Sequence, residues 1–145
     1  MSEQTTTAEN VQAQSIALYR RFADDVSSGR LDVIDELLAP DIQLPTIASF
    51  AEPNPAGLKQ VNQEVRAAFP DFHVTIEQIF AVGEWVSALM RWEGTSTGEF
   101  MGQPPTGRTI SFTEIEIVRC HDGRIVDLRQ VADVASLMSQ LQGDR

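Results

Sequence analysis

Cysteine, tyrosine and positive charge are scarce in this chain. A single cysteine, Cys120, excludes an internal disulfide and leaves no cysteine cluster for zinc or an iron-sulfur centre. The expected compartment is therefore cytoplasmic. Lys and Arg number 11 against 21 Asp and Glu, and a formal charge of -10 repels a phosphate backbone, so nucleic acid is excluded as a partner. No long apolar run is present, and the polar stretch Met1 to Asn10 has neither a signal-peptide core nor a membrane span. It is expected to be a short disordered tail, leaving residues 11–145 as one domain. The two histidines, His73 and His121, are not at metal-ligand spacing, so no metal is expected. A phosphate loop is also missing, because the glycines between residues 94 and 107 precede no Lys-Ser or Lys-Thr.

What is present suits a globular domain. The 145 residues are 42% hydrophobic and 22% charged, and a chain of this size buries roughly 70% of the surface its unfolded form exposes. Ile16, Tyr19, Phe22 and Val26 recur at three- and four-residue spacing, which predicts a helix over about residues 11–28 with Gly29 placed to end it. Leu31, Ile34, Leu37 and Leu38 repeat the pattern up to Pro40. An irregular stretch from Asp41 to Pro55 follows, then a third helix through Leu58, Val61, Val65 and Ala68. The N-terminal half is helical.

From Pro70 onward the period changes to two. Segments 72–82, 85–97, 109–120 and 125–131 are rich in Val, Ile, Thr, Phe and Trp, which predicts four strands. Gly83-Glu84 and His121-Asp122-Gly123-Arg124 are short enough to make an antiparallel meander, since Asp-Gly supplies the positive φ a tight turn requires. A last helix from about Asp133 to Gln142 carries Val134, Leu137, Met138 and Leu141 on one face, with Asp133 as its N-cap. The expected class is α+β.

The residues Leu37-Leu38-Ala39-Pro40-Asp41, Ala67-Ala68-Phe69-Pro70-Asp71, Gly94 to Arg108 and Asp122-Gly123-Arg124-Ile125-Val126 together resemble the SnoaL-like polyketide cyclases of the NTF2-like superfamily. The resemblance covers nearly the whole chain. It implies a cone in which a curved antiparallel sheet wraps around N-terminal helices, with a short C-terminal helix. It also implies ring closure by intramolecular aldol condensation without metal or organic cofactor, through an Asp on the last strand and a His on the strand before. Aligned through the Asp-Gly turn, the Asp position falls on Gln130 and the His position on Glu116. The histidine of the relatives' Gly-Thr-His-Thr-Gly motif is replaced by Ser96.

These replacements decide what chemistry to expect. An amide has no accessible pKa, so Gln130 cannot take a proton, although its NH₂ can stabilise a developing enolate oxygen. A carboxylate in an apolar cavity is a better base than one in water, because desolvation raises its pKa, and Glu116 is the candidate. The competing fate of Glu116 is an outward-facing residue paired with Arg91, Arg119 or Arg129. Phe112, Glu114, Glu116 and Val118 share one strand face, and the family alignment turns that face inward. Tyr19, Phe22, Phe50, Met90, Trp92, Phe112 and Leu128 are the candidates to line a cavity for a flat hydrophobic polyketide ketone. Core packing is the commoner role of each. Loss of the Asp shifts the expected reaction from cyclisation towards hydroxylation of a stabilised enolate. The alternatives are another lyase or isomerase on the same cone, or a binding module without chemistry. Ile115, Ile117, Ile125 and Val131 suit a homodimer formed sheet on sheet.

Overall fold

The computed structural model describes residues 2–143, with side chains from residue 7 onward. Helix α1 (Ser2–Ser27) buries Ser15, Tyr19 and Phe22 and ends at Gly29, whose φ of +88° few other residues adopt readily. It begins inside the polar stretch expected to be a disordered tail. Residues 2–10 contain neither proline nor glycine, and Glu, Gln and Ala are good helix formers, so nothing local stops the helix there. Its C-terminal carbonyls are met by a distant side chain: Arg66 Nη2 donates to Val26 O at 3.2 Å and Ser27 O at 2.8 Å.

Helix α2 (Asp32–Leu37) runs directly into strand β1 (Leu38–Gln43), where irregular chain was expected after Pro40. Strand β1 lies at the sheet edge, where a residue without an N–H is tolerated. A 3₁₀ turn (Pro45–Ile47) leads to helix α3 (Pro55–Ala68), capped by Asn54, whose Oδ1 accepts from Gly57 N at 2.8 Å. Strands β2 (His73–Val82), β3 (Trp85–Thr95), β4 (Thr109–His121) and β5 (Arg124–Ala132) form the expected meander. Helix α4 (Val134–Leu141) follows, and Asp133 Oδ1 caps it by accepting from Ser136 N at 3.0 Å.

The sheet order is β1-β5-β4-β3-β2. Its last four strands are antiparallel, but β1 runs parallel to β5, so the sheet is mixed rather than wholly antiparallel as expected. Register shifts between Ile76 and Gln78 on β2 and between Arg119 and Cys120 on β4 add a residue to one strand of each pair, which bends the sheet. The sheet curves without closing. Among the described residues no helix is long and apolar enough to cross a membrane.

Two apolar clusters fill the concave side. One joins α1, α2 and β1 to Val86, Ala88, Met90, Val118 and Leu128 on the strands. The other gathers Phe69, Phe72, Trp92, Ile110, Leu137 and Leu141. In the second, Trp92 stacks between Phe72 (centroids 5.3 Å apart) and Phe112 (4.8 Å), while Phe69 meets its edge at 4.9 Å. Such pairs each contribute about 0.5–1.5 kcal/mol beyond the area they bury.

The Gly94 to Arg108 segment holds the second cluster against α3. Thr97 N and Gly98 N both donate to Ala68 O, at 3.0 and 3.1 Å, and so satisfy a carbonyl left open at the helix end. Asp71 accepts from Thr95 N and Thr95 Oγ1, both at 2.7 Å. A Cβ on Gly98 would lie 2.9 Å from Ala67 O, and one on Gly94 would lie 3.0 Å from the Cβ atoms of Phe69 and Phe72. These two glycines are required by close approach.

Candidate functional site

A cavity of about 580 Å³ opens between the two clusters, within the range of small-molecule sites. Its walls come from α1, α3, β2, β3, β4, β5, α4 and the segments carrying Phe50 and Phe100 to Gly102. Phe22, Met90, Trp92, Phe112 and Leu128 line it, as expected from the sequence. Phe50 lines it too, but is 62% exposed and so stands at the mouth, as does the exposed Met101. Tyr19 does not line it. With 0% exposure, Tyr19 sits behind the wall, its ring centroid 6.4 Å from that of Phe22.

Strand parity turns Glu116 inward. Glu114 and Val118 on the same face are buried, whereas Ile115 and Ile117 on the other face are exposed. The arginines that would have drawn Glu116 outward are paired elsewhere: Arg91 with Glu77, Arg119 with Glu84 and Arg129 with Asp127. Glu116 lines the cavity and accepts a 2.6 Å hydrogen bond on Oε1 from the Tyr19 hydroxyl. The same hydroxyl lies 3.2 Å from Met90 Sδ.

Gln130 also lines the cavity, and it faces Glu116 in the strand register. Its side chain nevertheless reaches along the sheet, and Nε2 donates to Glu114 Oε2 at 2.6 Å. Glu114, absent from the candidates the sequence pattern supplied, is thus part of the site and only 9% exposed. The signal that points to it is spacing: two residues from Glu116 on one strand, it shares that face.

Two carboxyls in one apolar wall perturb each other. Burial first, and then the negative charge of Glu116, push Glu114 up to about 8, against the opposing effect of the Gln130 amide. Burial raises Glu116 as well, with the Tyr19 hydroxyl pulling the other way. Tyr19 is raised far above the ordinary phenol value by its own burial and by Glu116, so it remains a hydrogen-bond donor. Both carboxyls thus hold their protons more tightly than a solvated glutamate does, and a perturbed pair of this kind is what general acid/base chemistry draws on.

The other polar candidates lie outside the cavity lining. Ser96 is fully buried, its Oγ accepting from Thr106 N at 3.0 Å, so it organises the loop. His121 contacts Glu84 at 2.7 Å in an exposed turn, and His73 lies 3.3 Å from Glu93. Burial raises the Cys120 thiol to about 11, and its Sγ donates to Ser15 O, which makes it a poor nucleophile. Among the described residues no group of three or more His, Cys, Asp or Glu is placed to hold a metal ion.

Comparison with known proteins agrees with this architecture. The chain is 31% identical to nogalonic acid methyl ester cyclase of Streptomyces nogalater, over 79% of this chain and 87% of the relative. It is 26% identical to aklanonic acid methyl ester cyclase AcmA of Streptomyces galilaeus, over 89% and 91%. Among solved structures, IdmH, a candidate polyketide cyclase from Streptomyces antibioticus, superposes with a TM-score of 0.78 at 34% identity, covering 90% of this chain and 99% of that one. AclR, a candidate hydroxylase from Streptomyces galilaeus, gives 0.79 at 27%, covering 90% and 97%. The model of the SnoaL-like polyketide cyclases matches residues 17–141, and with the fold in agreement the chain belongs to that family.

Proposed function

We propose that this protein closes a ring in a flat, hydrophobic aromatic polyketide ketone by acid/base enolate chemistry, with Glu116 as base and Glu114 as acid. The observation that carries this reading is the pair of inward-facing glutamates in one cavity wall, each with its own hydrogen-bond donor. The Glu116 carboxylate takes a proton from carbon next to a carbonyl, and the C–H electron pair becomes the enolate. The enolate carbon attacks a second carbonyl of the same molecule, forming the new C–C bond while the C=O π pair moves to oxygen. Glu114 gives its proton to that oxygen. Glu116 now holds the substrate's proton, and its transfer to Glu114 resets the pair, so the net reaction is an isomerisation with no oxidant. A base and an acid placed this way contribute about 10²- to 10⁴-fold each.

The absence of the relatives' Asp therefore does not remove the base. It moves from the last strand to β4, and Gln130 becomes the donor that holds the acid in place. The cavity lining also indicates the charge of the ligand. It includes Glu64, Glu99, Glu114 and Glu116 and no Lys, Arg or His among the described residues, so a free carboxylate is repelled while an ester is accepted. Two relatives act on methyl esters, which agrees. The likeness to AclR favours a second reading, attack of the same enolate on an external oxidant. Anaerobic incubation distinguishes them, because ring closure proceeds without oxygen and hydroxylation does not.

The test is incubation with anthraquinone-like keto esters, with product mass as the readout. An isomer of unchanged mass supports ring closure. No conversion of any aromatic keto ester, with binding retained, supports a module that binds without chemistry. The protein is further proposed to act in the cytoplasm, without organic cofactor, as a homodimer through the outer face of the sheet, where Ile115, Ile117 and Val131 are exposed together with Phe80 and Val82, whereas Ile125, expected on that face, is fully buried in the core.

A further inference from the structure

Each glutamate of the pair has one side-chain donor, and the two donors differ in kind. Glu114 has an amide, which presents NH₂ to a carboxylate or, turned over, its carbonyl to a protonated acid. Gln130 therefore suits either form. Glu116 has a phenol buried behind the wall, with no cavity exposure through which water would replace it. Among the described residues the other side-chain acceptor within reach of that hydroxyl is the Met90 thioether at 3.2 Å, a weak one. Were Glu116 protonated, the phenol would exchange a short charge-assisted bond for a weaker neutral one.

From this geometry we propose that Tyr19 is the positioning residue that decides which glutamate is the base: its hydroxyl holds Glu116 as the carboxylate and leaves the shared proton on Glu114. The inference rests on the acid/base reading above and deepens it. Burial is the larger cause of the raised pKa of Glu114 and of Tyr19, and a negative charge on Glu116 raises both further. The other charged groups around the pair are all acidic. Asp24 on α1 acts on Tyr19, and Glu64 and Glu99 line the cavity from α3 and the following loop. No cation among the lining residues competes with Tyr19 for the role.

Tyr19 is the only tyrosine in the chain, which makes it open to chemical editing by global labelling. The carboxyl carbons of ¹³C-glutamate-labelled protein are titrated by NMR without substrate, with Glu114→Gln used for assignment. In the wild type Glu116 loses its proton at lower pH than Glu114. In Tyr19→Phe, which keeps the buried ring and removes only the hydroxyl, Glu116 moves up by about one pH unit or more, a tenfold change in proton affinity. Replacing Tyr19 biosynthetically by 3-fluorotyrosine makes the phenol a stronger donor and moves Glu116 down. This second protein retains the shape of the first and serves where the phenylalanine variant does not fold.

With a turned-over keto ester, the acidic limb of kcat against pH moves with Glu116 in each variant, while KM stays within about threefold, since Tyr19 does not touch the cavity. A residue needed only for packing moves neither titration nor limb. Unchanged Glu116 titration in the variants, or Glu114 ionising first in the wild type, overturns the inference. Because the titration needs no substrate, its outcome stands apart from that of the proposed reaction. A Tyr19-dependent order with no turnover refutes the reaction alone, whereas turnover with a Tyr19-independent order refutes the inference alone.

Discussion

Gln130 Nε2 lies 2.6 Å from Glu114 Oε2 although the strand register pairs Gln130 with Glu116. The diagonal neighbour is within reach of a long side chain on a twisted sheet, and Glu116 is already taken by Tyr19. One strand face thus holds two carboxyls with separate partners. In the proposed reaction their environments, rather than their positions in sequence, set which gives and which takes a proton.

Stability is expected to fall as pH rises from about 5 to 8. Both carboxyls sit above their usual value of 4.5, so the folded protein holds their protons more tightly than the unfolded chain does. The resulting stabilisation is complete below about pH 4.5 and, for Glu114, is lost as pH rises through about 8. Over that window one extra bound proton gives a slope of about 1.4 kcal/mol per pH unit. Urea denaturation between pH 5 and 8 is expected to show a shallower decline for Glu114→Gln than for wild type. An equal slope would remove Glu114 from the linkage.

Gly98→Ala is expected to cost about 1–3 kcal/mol, because its Cβ would meet the Ala67 carbonyl at 2.9 Å and neither backbone has room to move. Gly102→Ala has nothing within 4 Å but sits at a φ of +79°, so it loses about 1 kcal/mol through backbone strain alone. Denaturant midpoints for the two variants measure the difference between crowding and strain.

Phe50 and Met101 project at the cavity mouth and are mostly exposed. Phe50→Ala is expected to change stability by no more than about 0.5 kcal/mol. It should weaken binding of an anthraquinone-like ketone about tenfold, as lost apolar contact with a ring predicts. Fluorescence titration checks the affinity and thermal melting checks the fold.

The proposed dimer makes its own prediction. Val131 is 71% exposed and pairs across the sheet with Ile115, also exposed. Val131→Lys is expected to convert a dimer into a monomer of unchanged secondary structure in sedimentation velocity. A monomeric wild type would contradict the dimer and leave the site as described.

Much of this architecture is legible from local pattern. Strands β2 to β5 declare themselves by alternation, the Asp122-Gly123 turn by its positive φ angles of 51° and 75°, and helix α4 by the Asp133 cap. What escapes the pattern depends on neighbours distant in sequence. Strand β1 looks like a helix end followed by a breaker because Pro40 is acceptable only at an edge, and the edge is defined by β5. The N-terminal extension of α1 has no apolar stripe to announce it. Glu114 is visible only once the inward face of β4 is known, and Tyr19 resembles any other core aromatic until Glu116 is seen 97 positions away.

The most direct measurement is turnover of an aromatic keto ester by wild type, Glu116→Gln and Glu114→Gln, with ligand affinity determined alongside. Loss of the base is expected to lower kcat by about 10²- to 10⁴-fold in Glu116→Gln. Binding stays within about threefold in both variants, and the alkaline limb near pH 8 disappears from the pH profile of Glu114→Gln. Turnover by Glu116→Gln equal to wild type would contradict the account, because a group other than Glu116 would then be taking the substrate's proton.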